Sequence, residues 1–329
     1  MSSAELTMSE IVGAAGAHVP RLLGLVEERL ATLAASHGPI LAEHAGHTIA
    51  AGGKRMRPLL VVLAAGPQAT REAELIAAAA AVELIHSATL VHDDVLDGAQ
   101  LRRGVPTVWS QGGRQLAVAT GDLLFSRAFS ELTAVGSLAA VRSLSRATSA
   151  LAEGELLQRQ DAWNAAVSVE RYLLRCELKT ARLFEAACEM GGQVARCSDR
   201  HIAELAAFGR AIGLAFQLLD DVIDVAGPAS LTGKQRGADL LDGTVTLPLI
   251  LARERDAQLA AVDLRTVTTP AQAEELCARI AQTDALRDSQ ARALQIVAQA
   301  KRALDDLGLD DGQRAALSLV ASSVADRKA

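Results

Sequence analysis

The stretch from Leu75 to Asp97 reads LIAAAAAVELIHSATLVHDDVLD. Alanine and leucine dominate it, both strong helix formers, and neither proline nor glycine interrupts it. A helix is expected over 71–97. Glu83 and His86 inside the apolar run, with a charged cluster after it, mark a core helix rather than a membrane span. The helix ends in Asp93-Asp94-Val95-Leu96-Asp97. Residues i and i+4 stack on one helical face, and i+1 neighbours i+4, so one turn gathers three carboxylates. Like charges this close call for a cation. Hard oxygen ligands that leave room for water and phosphate suit Mg²⁺ best.

The same spacing recurs at Asp220-Asp221-Val222-Ile223-Asp224, again in apolar, helix-forming sequence where lone carboxylates would be costly to bury. Two such clusters are expected to face each other across a cavity and hold several ions.

Outward from these clusters the chain stays helical in character. Its 329 residues are 50% hydrophobic but only 2% aromatic, and no proline falls between Thr107 and Gly227. Long uninterrupted helices are favoured over strands. Apolar spacing predicts helices over 5–33, 40–51, 56–66, 71–97, 112–134, 137–162, 168–190, 198–226, 244–258, 270–282, 286–306 and 312–327. No Ser- or Gly-rich linker divides them, so residues 1–329 read as one all-α domain with its motif-bearing core at about 40–260. The net charge of −6, without a broad basic surface, argues against nucleic acid as partner. Cys176, Cys188, Cys197 and Cys277 form no CxxC pair and read as reduced thiols. Met1 to Glu10 lacks a basic-then-apolar leader pattern, which points to the cytoplasm.

Basic residues collect beside the acidic ones. Gly52-Gly53-Lys54-Arg55-Met56-Arg57-Pro58 joins two helices and departs from the P-loop pattern, yet Lys54 and Arg57 could meet a polyanion. Arg102-Arg103-Gly104 follows the first cluster; the arginines could make salt bridges or clamp a phosphate. His86 lies two helical turns before Asp93. His92 reads as a packing residue. His37, His44 and His47 make a loose metal-like spacing that no further ligand joins.

Taken in order, GGKRMRP, ELIHSATLVHDDVLDGAQLRRGVPT, GDLLFSRAF, EGELLQ, KTARLF, FQLLDDVID and GKQRGADLLDGTVTLPLI resemble the trans-isoprenyl diphosphate synthases, the polyprenyl synthetase family, over about Gly52 to Ile250. The resemblance implies an orthogonal helical bundle around a deep central cavity, the isoprenoid synthase type. It implies three Mg²⁺ ions per active site with substrate bound, held by Asp93, Asp94 and Asp97 and by Asp220, Asp221 and Asp224. Lys54, Arg57, His86 and Arg103 match positions that hold isopentenyl diphosphate. Arg102, Lys179, Thr180, Gln217 and Lys234 match those around the allylic diphosphate. Asp93, Asp220, Lys179, Thr180 and Gln217 are the expected catalytic set. Thr244 stands where the family often has a lysine.

The reaction implied is ionisation of an allylic diphosphate, attack by the double bond of isopentenyl diphosphate, and loss of a proton to the released diphosphate. Small residues at Ala88 and Thr89, just before the first cluster, favour a C30–C50 product; Ala81, Ile85, Phe125 and Phe129 are deeper candidates for a stop. Homodimerisation follows from the resemblance alone, and the product could be handed to a membrane. Three competing readings are a C15–C20 synthase such as a geranylgeranyl diphosphate synthase, a non-catalytic subunit of a heteromeric synthase, and a class I terpene cyclase. The cyclase fits poorly with five Phe, two Trp and one Tyr.

Overall fold

Helices α1 (Ser3–Ala15), α2 (His18–Ala35), α3 (Pro39–Ala50), α4 (Met56–Ala65) and α5 (Glu72–Leu96) open the chain. A two-residue hairpin follows, β1 (Leu101–Arg102) paired antiparallel with β2 (Val105–Pro106). Then come α6 (Val108–Ala134), α7 (Leu138–Asp161), α8 (Val169–Cys176), a π-helical turn at Glu177–Ala181, α9 (Arg182–Val194) and α10 (Asp199–Ala226). Further α-helices among the described residues are α11 (Ala238–Leu241), α12 (Leu247–Arg255), α13 (Ala257–Ala261), α14 (Pro270–Ala281), α15 (Ala285–Ala303) and α16 (Asp311–Ala325). This computed structural model describes residues 3–36, 39–50, 55–102, 104–227 and 236–326.

The all-α expectation holds, with differences at breaks. The helix expected over 5–33 is cut at Gly16, whose φ of 97° suits glycine. α6 begins four residues early because Thr107 caps it, accepting from the backbone N–H of Ser110. Gly113, at φ 73°, kinks it. The helix expected over 244–258 is split at Asp256, whose side chain caps α13.

The chain divides into two compact units. The first comprises Met1–Thr148, Leu183–Gly209 and Leu304–Leu319. Here α5 is the central element and packs along α6, α4 and α2. Val19, Leu22, Val26, Leu30 and Leu33 give α2 one buried stripe at helical spacing. From Pro58 to Ala65, α4 is buried on every side. α5 is long and apolar enough to cross a membrane, but 72% of its apolar window is buried inside the protein. That suits a core helix. The second unit comprises Ser149–Arg182, Arg210–Ala303 and Val320–Ala329. In it α12 packs on α8, α13, α14 and α15, and α14 starts with a Thr269–Gln272 capping box.

Candidate active site

In the first unit, the acidic cluster occupies the last turn of α5. Asp93 is half-buried and Asp97 exposed. Asp97 closes the helix by donating its backbone N–H to the Asp93 carbonyl at 2.8 Å. Asp94 differs. It is buried and accepts from Arg102 Nε at 2.7 Å. The short hairpin therefore serves to bring Arg102 back against the cluster. Of the two readings open for Arg102, the observed contact is the salt bridge. His92 turns to α6, its ring stacked on Phe125 with centroids 5.7 Å apart. Gly121 makes that possible, since a β-carbon there would lie 2.2 Å from His92 Nε2. The packing reading of His92 stands.

His86, half-buried, sits two turns before Asp93 on α5. Arg57, in the first turn of α4, lays its guanidinium 4.5 Å from the ring centroid of Phe184, within cation–π range. Phe184 belongs to the KTARLF segment and is fully buried. Sequence reasoning left Arg55 without a role. Its backbone is left-handed, at φ 43°, directly before α4. Its guanidinium donates to Glu27 at 2.6 Å, Glu83 at 2.7 Å and the Ile49 carbonyl at 2.7 Å. Burial works against its charge, but the two glutamates raise its pKa above the usual arginine value. Glu83, a carboxylate inside an otherwise apolar run, was the signal that a cation had to meet it.

Ala88 has no accessible surface, and neither do Ala81 and Ile85. Thr89, Phe125 and Phe129 keep part of theirs. The Ala88 methyl is packed against protein, while Thr89 keeps part of its surface.

In the second unit, the π turn carries Lys179 and Thr180. A helix expected to run evenly over 168–190 instead widens here, as π turns in helices often do at functional sites. Lys179 Nζ donates to Glu155 at 2.6 Å. Burial works to raise the Glu155 pKa, but Lys179 and Arg159 hold it below the ordinary value. Thr180, in turn, donates to Gln217 Oε1 at 2.7 Å. The Gln217 amide donates to Asp221 Oδ1 at 2.7 Å, and the Tyr172 hydroxyl donates to Asp221 Oδ2 at 2.7 Å. Asp221 is buried, and burial raises its pKa to about 7 against the pull of those two donors. Asp220 and Asp224 stay half-buried. Asp224 also accepts from the Asp239 N–H at 3.3 Å, tying α10 to the start of α11.

Thr244, half-buried, lies in a segment pinned on both sides. Gly243 accepts from the Trp163 N–H at 2.7 Å, and the Val245 carbonyl accepts from Arg175 at 2.5 Å. A separate hollow of about 470 Å³, lined by Gln160, Trp163, Asn164, Val262, Leu264 and Arg265 among others, contains none of the expected substrate residues.

Lys54, Arg103 and Lys234 lie outside the described residues, as do His37 and the side chain of His47. Among the described residues, no group of three or more His, Cys, Asp or Glu side chains is gathered tightly enough to hold a metal ion by itself. The donor set still fits a hard divalent cation. Each cluster offers two partly open carboxylates one helical turn apart, and Mg²⁺ commonly takes one or two carboxylates and completes its shell with water and phosphate oxygens.

A family model described as polyprenyl synthetase matches residues 38–283. Heptaprenyl diphosphate synthase component 2 of Geobacillus stearothermophilus is 35% identical over 292 residues, covering 88% of this chain and 91% of that protein. Octaprenyl diphosphate synthase of Escherichia coli is 39% identical over 220 residues, 67% of this chain and 68% of its own. Among solved structures, polyprenyl synthase from Caulobacter crescentus, complexed with calcium and isoprenyl diphosphate, matches with a TM-score of 0.85 and 36% identity, covering 97% of this chain and 98% of that one. With the family's motifs in order on an all-α fold, the chain belongs to the polyprenyl synthetase family and is a prenyltransferase of the trans-prenyl diphosphate synthase class.

Proposed function

We propose that this enzyme condenses isopentenyl diphosphate with an allylic diphosphate, in a Mg²⁺-dependent reaction, to build a C30–C50 polyprenyl diphosphate. The observation that carries this reading is the division of labour within each aspartate cluster. The outer carboxylates, Asp93 and Asp97 or Asp220 and Asp224, keep open surface, while the middle one is tied to protein donors. These four partly open carboxylates are the ones we assign to the cations, with Asp94 and Asp221 behind them.

Bound Mg²⁺ supplies charge neutralisation for the departing diphosphate. The protein residues do the rest. Lys179 turns from Glu155 toward the allylic diphosphate, and Arg102, still held by Asp94, adds charge with Lys234. Thr180 and Gln217 present hydroxyl and carbonyl dipoles to the allylic cation. Lys54, Arg57, His86 and Arg103 hold isopentenyl diphosphate, and the stacking of Arg57 on Phe184 fixes one of these four in advance. Thr244 leaves the allylic side one cation short of the usual family complement. The enzyme works as a homodimer, a point resting on the resemblance alone.

The two relatives' names differ in product length, so length rests on this chain. Thr89 is small and keeps part of its surface, which supports a long product. Incubating the purified chain with isopentenyl diphosphate and C5, C10, C15 or C20 primers, then weighing the dephosphorylated products, tests both reaction and length. Asp93→Ala and Asp220→Ala should each abolish condensation in a folded protein. Retained turnover in either would refute the assignment, C15–C20 products would refute the length, and an inactive wild type would favour the non-catalytic subunit.

A further inference from the structure

We propose that Tyr172 is a positioning residue for the second aspartate cluster: its hydroxyl locks Asp221 and so fixes the turn that presents Asp220 and Asp224 to the cation. This rests on the reading that the second cluster binds a divalent cation.

Both oxygens of Asp221 are claimed by protein donors, Oδ2 by Tyr172 and Oδ1 by Gln217, each at 2.7 Å. The Gln217 amide has little freedom to turn, because its own oxygen accepts from Thr180 at 2.7 Å. Tyr172 is equally constrained. It has no accessible surface, and Arg175 sits over its ring at 5.4 Å while donating to the Val245 carbonyl. The donors therefore approach Asp221 from fixed directions, one from α8 and one from a preceding turn of α10. On a helix, Asp221 is rotated about 100° from Asp220, and Asp224 is stacked over Asp220. Anchoring Asp221 thus sets the rotation of that turn about the helix axis. A side chain that can swing would let the same turn rotate Asp220 and Asp224 away from a shared ion. The hydrogen-bonded series Thr180–Gln217–Asp221–Tyr172 also ties the π turn to the cluster, so substrate contacts at Lys179 and Thr180 and the cation site share one frame.

Tyr172 is the only tyrosine in the chain, which gives the test a specific reporter. Purified Tyr172→Phe keeps the ring and removes only the hydroxyl. Mn²⁺ binding in the presence of inorganic pyrophosphate is followed by electron paramagnetic resonance, with Asp220→Ala as reference. The expected result is that Tyr172→Phe weakens Mn²⁺ binding at least fivefold and raises the Mg²⁺ needed for half-maximal turnover by a similar factor. Its KM for isopentenyl diphosphate at saturating Mg²⁺ should stay within twofold. Wild-type Mn²⁺ affinity in Tyr172→Phe, with binding lost in Asp220→Ala, overturns the positioning role while the cation reading stands. Undiminished binding in Asp220→Ala overturns both. Biosynthetic 3-fluorotyrosine then decides the matter even if Tyr172→Phe does not fold. Its single ¹⁹F resonance should move when Mg²⁺ and pyrophosphate are added to the otherwise wild-type protein, and stay still in Asp220→Ala. A resonance unmoved in the wild type overturns the proposal.

Discussion

Gly154 and Lys179 lie backbone against backbone: a β-carbon on Gly154 would sit 2.6 Å from the Lys179 nitrogen. The next residue, Glu155, is the one that holds the Lys179 ammonium. One turn of α7 thus sets both the main chain and the side chain of the π turn. Gly154→Ala should push the turn away at about 1–3 kcal/mol of overpacking. We expect a lower melting temperature together with at least a tenfold loss of kcat. Loss of stability with wild-type turnover at low temperature would argue that the turn's position does not matter for catalysis.

Glu155 makes a second, pH-dependent prediction. Its pKa is lowered from the ordinary 4.5 in the folded protein, so it binds protons less readily there than when unfolded. Its stabilisation is then fully present above the unfolded value and lost as pH falls through the folded one. Glu155→Gln should cost roughly 1–3 kcal/mol at pH 7, the scale for a charge-assisted hydrogen bond. The gap to wild type should close on acidification below the ordinary glutamate pKa. Denaturant unfolding at pH 7 and in the acid range measures both, and a gap independent of pH would contradict the ion-pair account.

Several of these relationships could be read in the sequence, and others could not, for physical reasons. The core helix at Leu75–Asp97 was legible because alanine, leucine and helical spacing agree, and both clusters fell on helices for the same cause. The π turn was not. Glu177 to Ala181 has ordinary helix-forming composition, and its close packing on Gly154 is a contact distant in sequence. The hairpin at 101–106 has strands too short for alternation to register. Arg55 looked like one more cation in a basic junction, because its partners Glu27 and Glu83 are distant in sequence. The different burial of Ala88 and Thr89 was not legible either, because residue size says nothing about which way a helix faces.

That last point separates two substitutions. Thr89 keeps part of its surface, so on the proposed reading Thr89→Phe should shorten the product by one or more isoprene units. Ala88 has none. Ala88→Phe should instead overpack the first unit and destabilise it by roughly 1–3 kcal/mol or more. Mass measurement of dephosphorylated products and thermal unfolding of both variants check this. A stable Ala88→Phe enzyme making shorter chains would instead support Ala88 as the floor.

Trp163 and Gly243 support a coupled prediction. Trp163 adopts φ 58°, a left-handed conformation costly for a bulky residue. It persists because its N–H bonds to the Gly243 carbonyl at 2.7 Å and its indole covers Gly243. A β-carbon on Gly243 would lie 2.3 Å from the indole, and Gly243 itself has φ 72°, so Gly243→Ala meets both a clash and an unfavourable backbone. Removing the indole relieves only the clash. Gly243→Ala should therefore be destabilising by roughly 2–4 kcal/mol, and Trp163→Gly should partly rescue it while relaxing its own backbone. The double-mutant cycle should show a coupling of about 1 kcal/mol or more. Additive effects would mean that the indole does not brace Gly243, and the segment bearing Thr244 would then be held by its backbone bonds, such as Thr244 N–H to the Asp239 carbonyl at 2.7 Å, and by Arg175 on Val245.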